Sequence, residues 1–285
     1  MTAQVSDTIA RALDLLQSNL SWMGWNLFLA LVPLGISFWL FHRPRSRLLR
    51  WGVSFLLGVT FFLGVKRYSF ADLINIIRSL RAAYLDLDAI YLVGAIAITL
   101  ILMASDIWLL HGQGSRSLGW WVGFLVFITF LPNAPYILTD IIHLFDDIRR
   151  YSSVWIITLA IIPQYLLFML LGFEAYVLSV IYLGDYLRQH GWGKFILWVE
   201  LILHGLNAIG IYLGRFQRFN TWHIITQPDA LFSGLVNDLV GKVPALVMAV
   251  TFVVITILYW LMKQVSLGIM LRGRVSLGSQ EGEMG

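Results

Sequence analysis

The sequence predicts an all-α fold: a polytopic transmembrane helical bundle of seven or eight membrane segments, with one broken helix near Pro132–Pro135. Three observations predict it. Of the 285 residues, 59% are hydrophobic and 13% charged, against about 45–50% and about 25% in a soluble domain. Apolar stretches of about 20 residues, the length that crosses a bilayer core, recur along the chain. Trp22, Trp51, Trp108, Trp120, Trp121 and Tyr151 stand near their ends, where an aromatic belt would put them. This composition excludes a soluble enzyme and a disordered chain, and no basic face is present for nucleic acid. There is no cysteine, which removes disulfides, thiolate metal sites and a cysteine nucleophile. The net charge of +4 is a mild excess, suited to loops beside an anionic inner leaflet.

Residues 1–21 predict an amphipathic helix, with Val5, Ile9, Ala12, Leu13, Leu16 and Leu20 at helical spacing. The stretch lacks the basic-then-apolar order of a signal peptide, so it is expected to stay on the mature protein. A single transmembrane domain is expected over 22–262 and a cytoplasmic tail over 263–285. Clear spans are Trp22–Phe41, Ala89–Leu110, Tyr151–Phe173 and Val243–Met262. Leu118–Thr139 is uncharged but interrupted by Pro132 and Pro135, and Phe195–Gly214 carries Glu200, His204 and Asn207. Trp51–Val65, with 15 residues, reads either as a tilted span or as a re-entrant hairpin. Seven plain spans divide the 20 Lys and Arg evenly across the membrane. A re-entrant Trp51–Val65, with Tyr151–Leu187 folded into a hairpin near Gly172, would put 15 of those 20 inside. Both arrangements leave the N-terminus outside and the C-terminus in the cytoplasm.

The first motif is Leu131-Pro-Asn-Ala-Pro-Tyr136, followed by Thr139, Asp140 and His143. Pro132 lacks an N–H and Pro135 suits the first turn of a helix, so one helix should stop here and another start. Asn133 or Ala134 is the expected cap. A break at membrane depth would present free N–H groups to an anion; a break at the interface would be a simple turn. Tyr136, Asp140, His143 and Asp147 recur at i, i+4, i+7 and i+11 and form one polar stripe. Asp146, Asp147, Arg149 and Arg150 read as a wet loop. The second motif, Glu200, His204 and Asn207, puts three polar groups on one face of a span. Such groups mark a functional site or a buried helix clamp. The third follows at Arg215 and Arg218, interleaved with aromatics. They suit bidentate binding of phosphate or carboxylate, or plain interfacial anchoring. Asp106 reads as interfacial beside Trp108, and Glu174 as part of a turn after Gly172.

These motifs resemble a bacterial family of uncharacterised multi-spanning membrane proteins, domain of unknown function 1361. Leu131–Tyr136 with Asp140 and His143 carries the resemblance. Asn26-Leu-Phe-Leu-Ala-Leu-Val-Pro33 looks like the family's first helix, and Gly214-Arg215-Phe with Arg218, Asn220 and Trp222 like its later signature. Two features depart from the pattern: Trp51–Leu110 reads as an insertion, and His223 stands where an acidic residue is expected. The resemblance implies a protein of the bacterial inner membrane and no assigned reaction.

Three functional expectations follow. In the first, Asn133, Tyr136, Asp140, His143, Glu200, His204 and Asn207 line a polar cavity, with Arg215 and Arg218 at its mouth. Its ligand would be a small anion or a lipid headgroup, within the surrounding lipid bilayer. In the second, Asp140, His143, Glu200 and His204 hold one divalent metal ion in a hydrolase acting on a lipid. In the third, the stripes only clamp helices in a non-catalytic assembly factor.

Overall fold

The computed structural model describes residues 2–41, 47–65, 89–110, 116–151, 153–212 and 242–283. Among these every regular element is helical. Six helices are long and apolar enough to cross a membrane: Thr8–Leu40, Leu48–Val65, Leu118–Arg150, Val154–Gln189, Gly193–Tyr212 and Val243–Arg272. A shorter apolar helical stretch, Gly94–Asp106, adds to them. The fold is thus the all-helical bundle that the composition predicts.

Helix α1 (Thr2–Leu40) runs unbroken through the amphipathic stretch and the first span. Helix α2 (Arg47–Val65) is a continuous helix, which corrects the re-entrant alternative. It begins at Arg47, ahead of the apolar window, so 19 residues carry it, or about 28 Å at about 1.5 Å per residue. It lies close on α1: a Cβ on Gly24 would stand 2.8 Å from Leu63 Cβ, and one on Gly64 would stand 3.0 Å from Trp25. Helix α3 (Ala89–Leu110) packs on α4 (Leu118–Phe130). Ser117 caps α4, its Oγ accepting from the Trp120 backbone N–H at 3.2 Å.

The two prolines tighten the next helix instead of reversing it. Leu131 (φ −54°, ψ −39°) and Pro132 (φ −65°, ψ −21°) keep right-handed helical angles. A short helix α5 (Asn133–Tyr136) and a 3-10 turn (Ile137–Asp140) then lead into α6 (Ile141–Arg150). Ala134 N reaches back to Leu131 O at 3.2 Å, which takes it away from Phe130 O. Asn133 Nδ2 donates to Phe130 O at 3.1 Å. Asn133 therefore closes α4, and no side chain caps α5. This corrects the expected capping role.

Helix α7 (Val154–Ile156) widens through a π turn (Ile157–Ile161) into α8 (Ile162–Gln189). The wider turn precedes Pro163, which has no N–H to give to the ladder. The hairpin expected near Gly172 is absent, because α8 passes straight through it and carries Glu174 inside the helix. The glycine answers a different need: a Cβ there would stand 2.2 Å from Ile137 Cδ1. Gly172→Leu is therefore expected to force α8 off the 3-10 turn and to cost about 1–3 kcal/mol or more, read from thermal unfolding in detergent. With α2 and α8 both unbroken, the Lys and Arg remain evenly divided and assign no orientation.

Gly191 (φ +80°), in the left-handed region, and a 3-10 turn (Gly193–Phe195) lead to α9 (Ile196–Tyr212). Helix α10 (Lys242–Glu283) continues past Met262 into the expected tail. At the centre, α1 and α8 run parallel. Gln164 Nε2 meets Leu16 O at 3.0 Å toward one end, and the Phe41 and Tyr186 rings lie 5.5 Å apart toward the other. The α4–α6 run is antiparallel to α1, and α9 and α10 pack on α8.

Candidate functional site

The polar residues gather into two networks, centred on Tyr165 and Tyr176 of α8, about 16 Å apart along that helix. The first is a ladder between α1 and the α5–α6 run. Asn19 Nδ2 donates to Asp147 Oδ2 at 2.9 Å, and Asn26 Nδ2 donates to Asp140 Oδ2 at 3.1 Å. Between these rungs the Trp22 ring lies 5.2 Å from the His143 ring. Residues 19, 22 and 26 repeat at i, i+3 and i+7 on α1. Residues 140, 143 and 147 do the same on the opposite strand of the ladder, so two antiparallel helical stripes meet rung for rung. Tyr165 Oη adds a second donor to Asp147 Oδ2 at 2.9 Å, and Trp22 Nε1 donates to Asn19 Oδ1 at 3.1 Å. Asp140 and Asp147 are buried, whereas His143 is exposed beyond its contact with Trp22. Asp147 is thus no part of a wet loop, which corrects that expectation.

The second network joins α8, α9 and α10. Asn207 Nδ2 donates to Tyr176 Oη at 3.0 Å, and Tyr176 Oη lies 2.5 Å from His204 Nδ1. Since the tyrosine already accepts from Asn207, its own proton suits an unprotonated Nδ1. The His204 ring centroid is 4.6 Å from that of Tyr259. Tyr259 Oη donates to Glu200 Oε1 at 2.8 Å, and Lys263 Nζ reaches the same oxygen at 2.5 Å. Glu174 accepts from Ser266 Oγ at 2.6 Å. Glu200, His204 and Asn207 are all buried, and Asn207 Oδ1 has no hydrogen-bond partner among the described residues, as is also true of Ser21 Oγ and Trp121 Nε1 outside this network. Helix α5, with Asn133 and Tyr136, packs against α9, so the structure brings the Pro motif beside this network.

A third cluster closes one end of α4. Arg116 pairs with buried Asp106, donates from Nε to Tyr186 Oη at 2.5 Å, and stands over the Trp120 ring at 5.0 Å. Asp106 is therefore held inside an ion pair and not at a free interface. Arg215 and Arg218 lie outside the described residues.

The four residues expected to share a metal face different partners: Asp140 turns to Asn26, His143 to Trp22, Glu200 to Lys263, and His204 to Tyr176. Among the described residues no three His, Asp or Glu side chains are placed to hold a metal ion together. Among the described residues these four side chains do not come together as one donor set.

The family described as "Protein of unknown function (DUF1361)" matches residues 95–257, more than half of the chain. The chain belongs to the DUF1361 family. No curated protein and no solved structure matches it. The DUF1361 match holds the Pro motif, Asp140 and Asp147, and the α9 triad, together with Arg215 and Arg218. Asn26–Pro33 falls before it. Four residues that sequence reasoning missed as partners also fall outside the DUF1361 match: Asn19 and Trp22 on α1, and Tyr259 and Lys263 on α10. The i, i+3, i+7 spacing of Asn19, Trp22 and Asn26 was the signal that could have found the α1 stripe.

Proposed function

We propose that this DUF1361 protein is a membrane binding or transport protein whose site is the α8–α9–α10 network beside α5. The observation that carries this reading is Asn207 Oδ1, a buried acceptor with no partner among the described residues. A helix clamp is stable when every buried polar group is satisfied, and an orphaned acceptor in an apolar setting costs about 1–3 kcal/mol. A ligand that donates a hydrogen bond would remove that cost. The ligand class this suits is a hydroxyl-bearing small anion or lipid headgroup with its hydroxyl on Asn207; Arg215 and Arg218, which follow α9 in the sequence, are of the residue type that suits its charge. The proposed setting is the bacterial inner membrane, with the N-terminus outside and the C-terminus cytoplasmic.

Native mass spectrometry of the protein extracted in mild detergent tests the site. The wild type is expected to carry a bound small molecule or lipid, and Asn207→Leu to lose it. A bare wild-type mass, with Asn207→Leu raising the melting temperature, would overturn the reading. That outcome would favour the second one: a non-catalytic assembly factor, supported by the satisfied Asn19–Asp147 and Asn26–Asp140 rungs, which bind helices without any ligand.

A further inference from the structure

We propose that Glu200 is an intramembrane proton-binding site, and that its ionisation state sets how tightly α10 closes on α9. This rests on reading the α8–α9–α10 network as a working site; it adds the coupling ion, the proton.

The geometry concentrates both contacts on one oxygen. Glu200 Oε1 accepts from Tyr259 Oη at 2.8 Å and from Lys263 Nζ at 2.5 Å, and both donors come from α10. So the pair that joins these helices is charged on both sides. The Glu200 side chain is 9% exposed and that of Lys263 is 23% exposed. The lysine thus keeps a path to polar surroundings that the carboxylate lacks. In a low-dielectric setting a paired ammonium and carboxylate hold each other strongly, and an ammonium alone is expensive. When a proton from water adds to the Glu200 carboxylate, a neutral acid and an unpaired ammonium remain. The attraction to α10 is lost, and Lys263 gains by moving toward water. When the proton leaves, the pair re-forms. Nothing else is consumed or released.

Other titratable groups face this pair among the described residues. His204 stands one turn along α9, with Tyr259 against it. Tyr176 on α8 holds the far side of His204, and Glu174 on α8 is held by Ser266. On α5, Tyr136 belongs to the helix that packs against α9. Among the described residues His204 and Glu174 are neighbours whose titration could imitate that of Glu200, Glu174 because its partner Ser266 lies on α10, so each needs its own control.

The chain has no cysteine, so two introduced thiols are the only ones. Ile202 on α9 and Leu261 on α10 are 59% and 49% exposed, which lets both carry spin labels without disturbing the core. Distances between labels at Ile202→Cys and Leu261→Cys are measured by pulsed electron paramagnetic resonance in nanodiscs, across about pH 4 to about pH 9, which brackets ordinary carboxylate and imidazole values. The expected result is one short distance at high pH and a second, longer population at low pH. Glu200→Gln should show the longer population at every pH, and His204→Gln and Glu174→Gln should each keep the wild-type response. A wild-type distance that does not change with pH would overturn the proposal, whether or not Glu200→Gln folds. So would a response that survives in folded Glu200→Gln, or one that disappears in His204→Gln or in Glu174→Gln. The measurement needs no ligand. A bare native mass beside an intact pH response would sink the ligand reading alone, and a retained ligand beside a pH-independent distance would sink this one alone.

Discussion

Lys263→Met lowers the stability of the folded protein by about 3–5 kcal/mol, and Glu200→Leu made in the same chain recovers most of that loss. This is the expected result of unfolding the variants in detergent at high pH, where the carboxylate stays charged. The single change leaves a buried Glu200 carboxylate with Tyr259 Oη as its remaining described donor. The double change replaces an ion pair with apolar packing, which in low dielectric is close to neutral. If the double variant is no more stable than Lys263→Met, the two residues do not act as a pair.

Asp147→Ala is expected to cost about 2–4 kcal/mol, because two buried donors lose a charged acceptor together. Asn19 Nδ2 and Tyr165 Oη both bond Asp147 Oδ2, and they come from α1 and α8. One carboxylate therefore ties three helical runs, and its loss should loosen all of them at once. His143→Ala, which removes only an exposed ring from Trp22, should cost about 0.5–1.5 kcal/mol. A double-mutant cycle on Asp147 and Tyr165 measures the coupling directly, and coupling near zero would show that their bond contributes nothing.

The sequence was most informative where one helix face carried the signal by itself. Glu200, His204 and Asn207 could be read as a buried stripe from spacing alone, and the structure buries all three. It was least informative about what lies opposite a stripe, because register between helices is a property of packing and not of local sequence. Lys263 sat beyond the apolar window and read as tail, yet it is the closest cation to Glu200. Gly172 read as a turn because glycine frees the backbone; its role is steric, to admit Ile137. Trp51–Val65 looked too short because Arg47–Arg50, excluded as charged, form its first turn. The prolines at 132 and 135 read as a stop and a start, and α4 does end at Phe130 with α5 starting at Asn133; local sequence did not reveal the 3-10 turn that follows, or Asn133 turning back to Phe130 O.

The two ends of the chain hold the other half of each network. Asp140 accepts from Asn26, Asp147 from Asn19 as well as Tyr165, and Glu200 from Tyr259 and Lys263; of these donors Tyr165 alone lies within 95–257, the segment that the family matches. What is recognisable as inherited is therefore not what is self-sufficient as a solid. Cut at those limits, the segment would keep Tyr165 on Asp147 but lose the two amides, the Tyr259 hydroxyl and the ammonium that also meet its carboxylates. In this protein the homologous core supplies the acids, and the flanking helices supply the means to keep them buried.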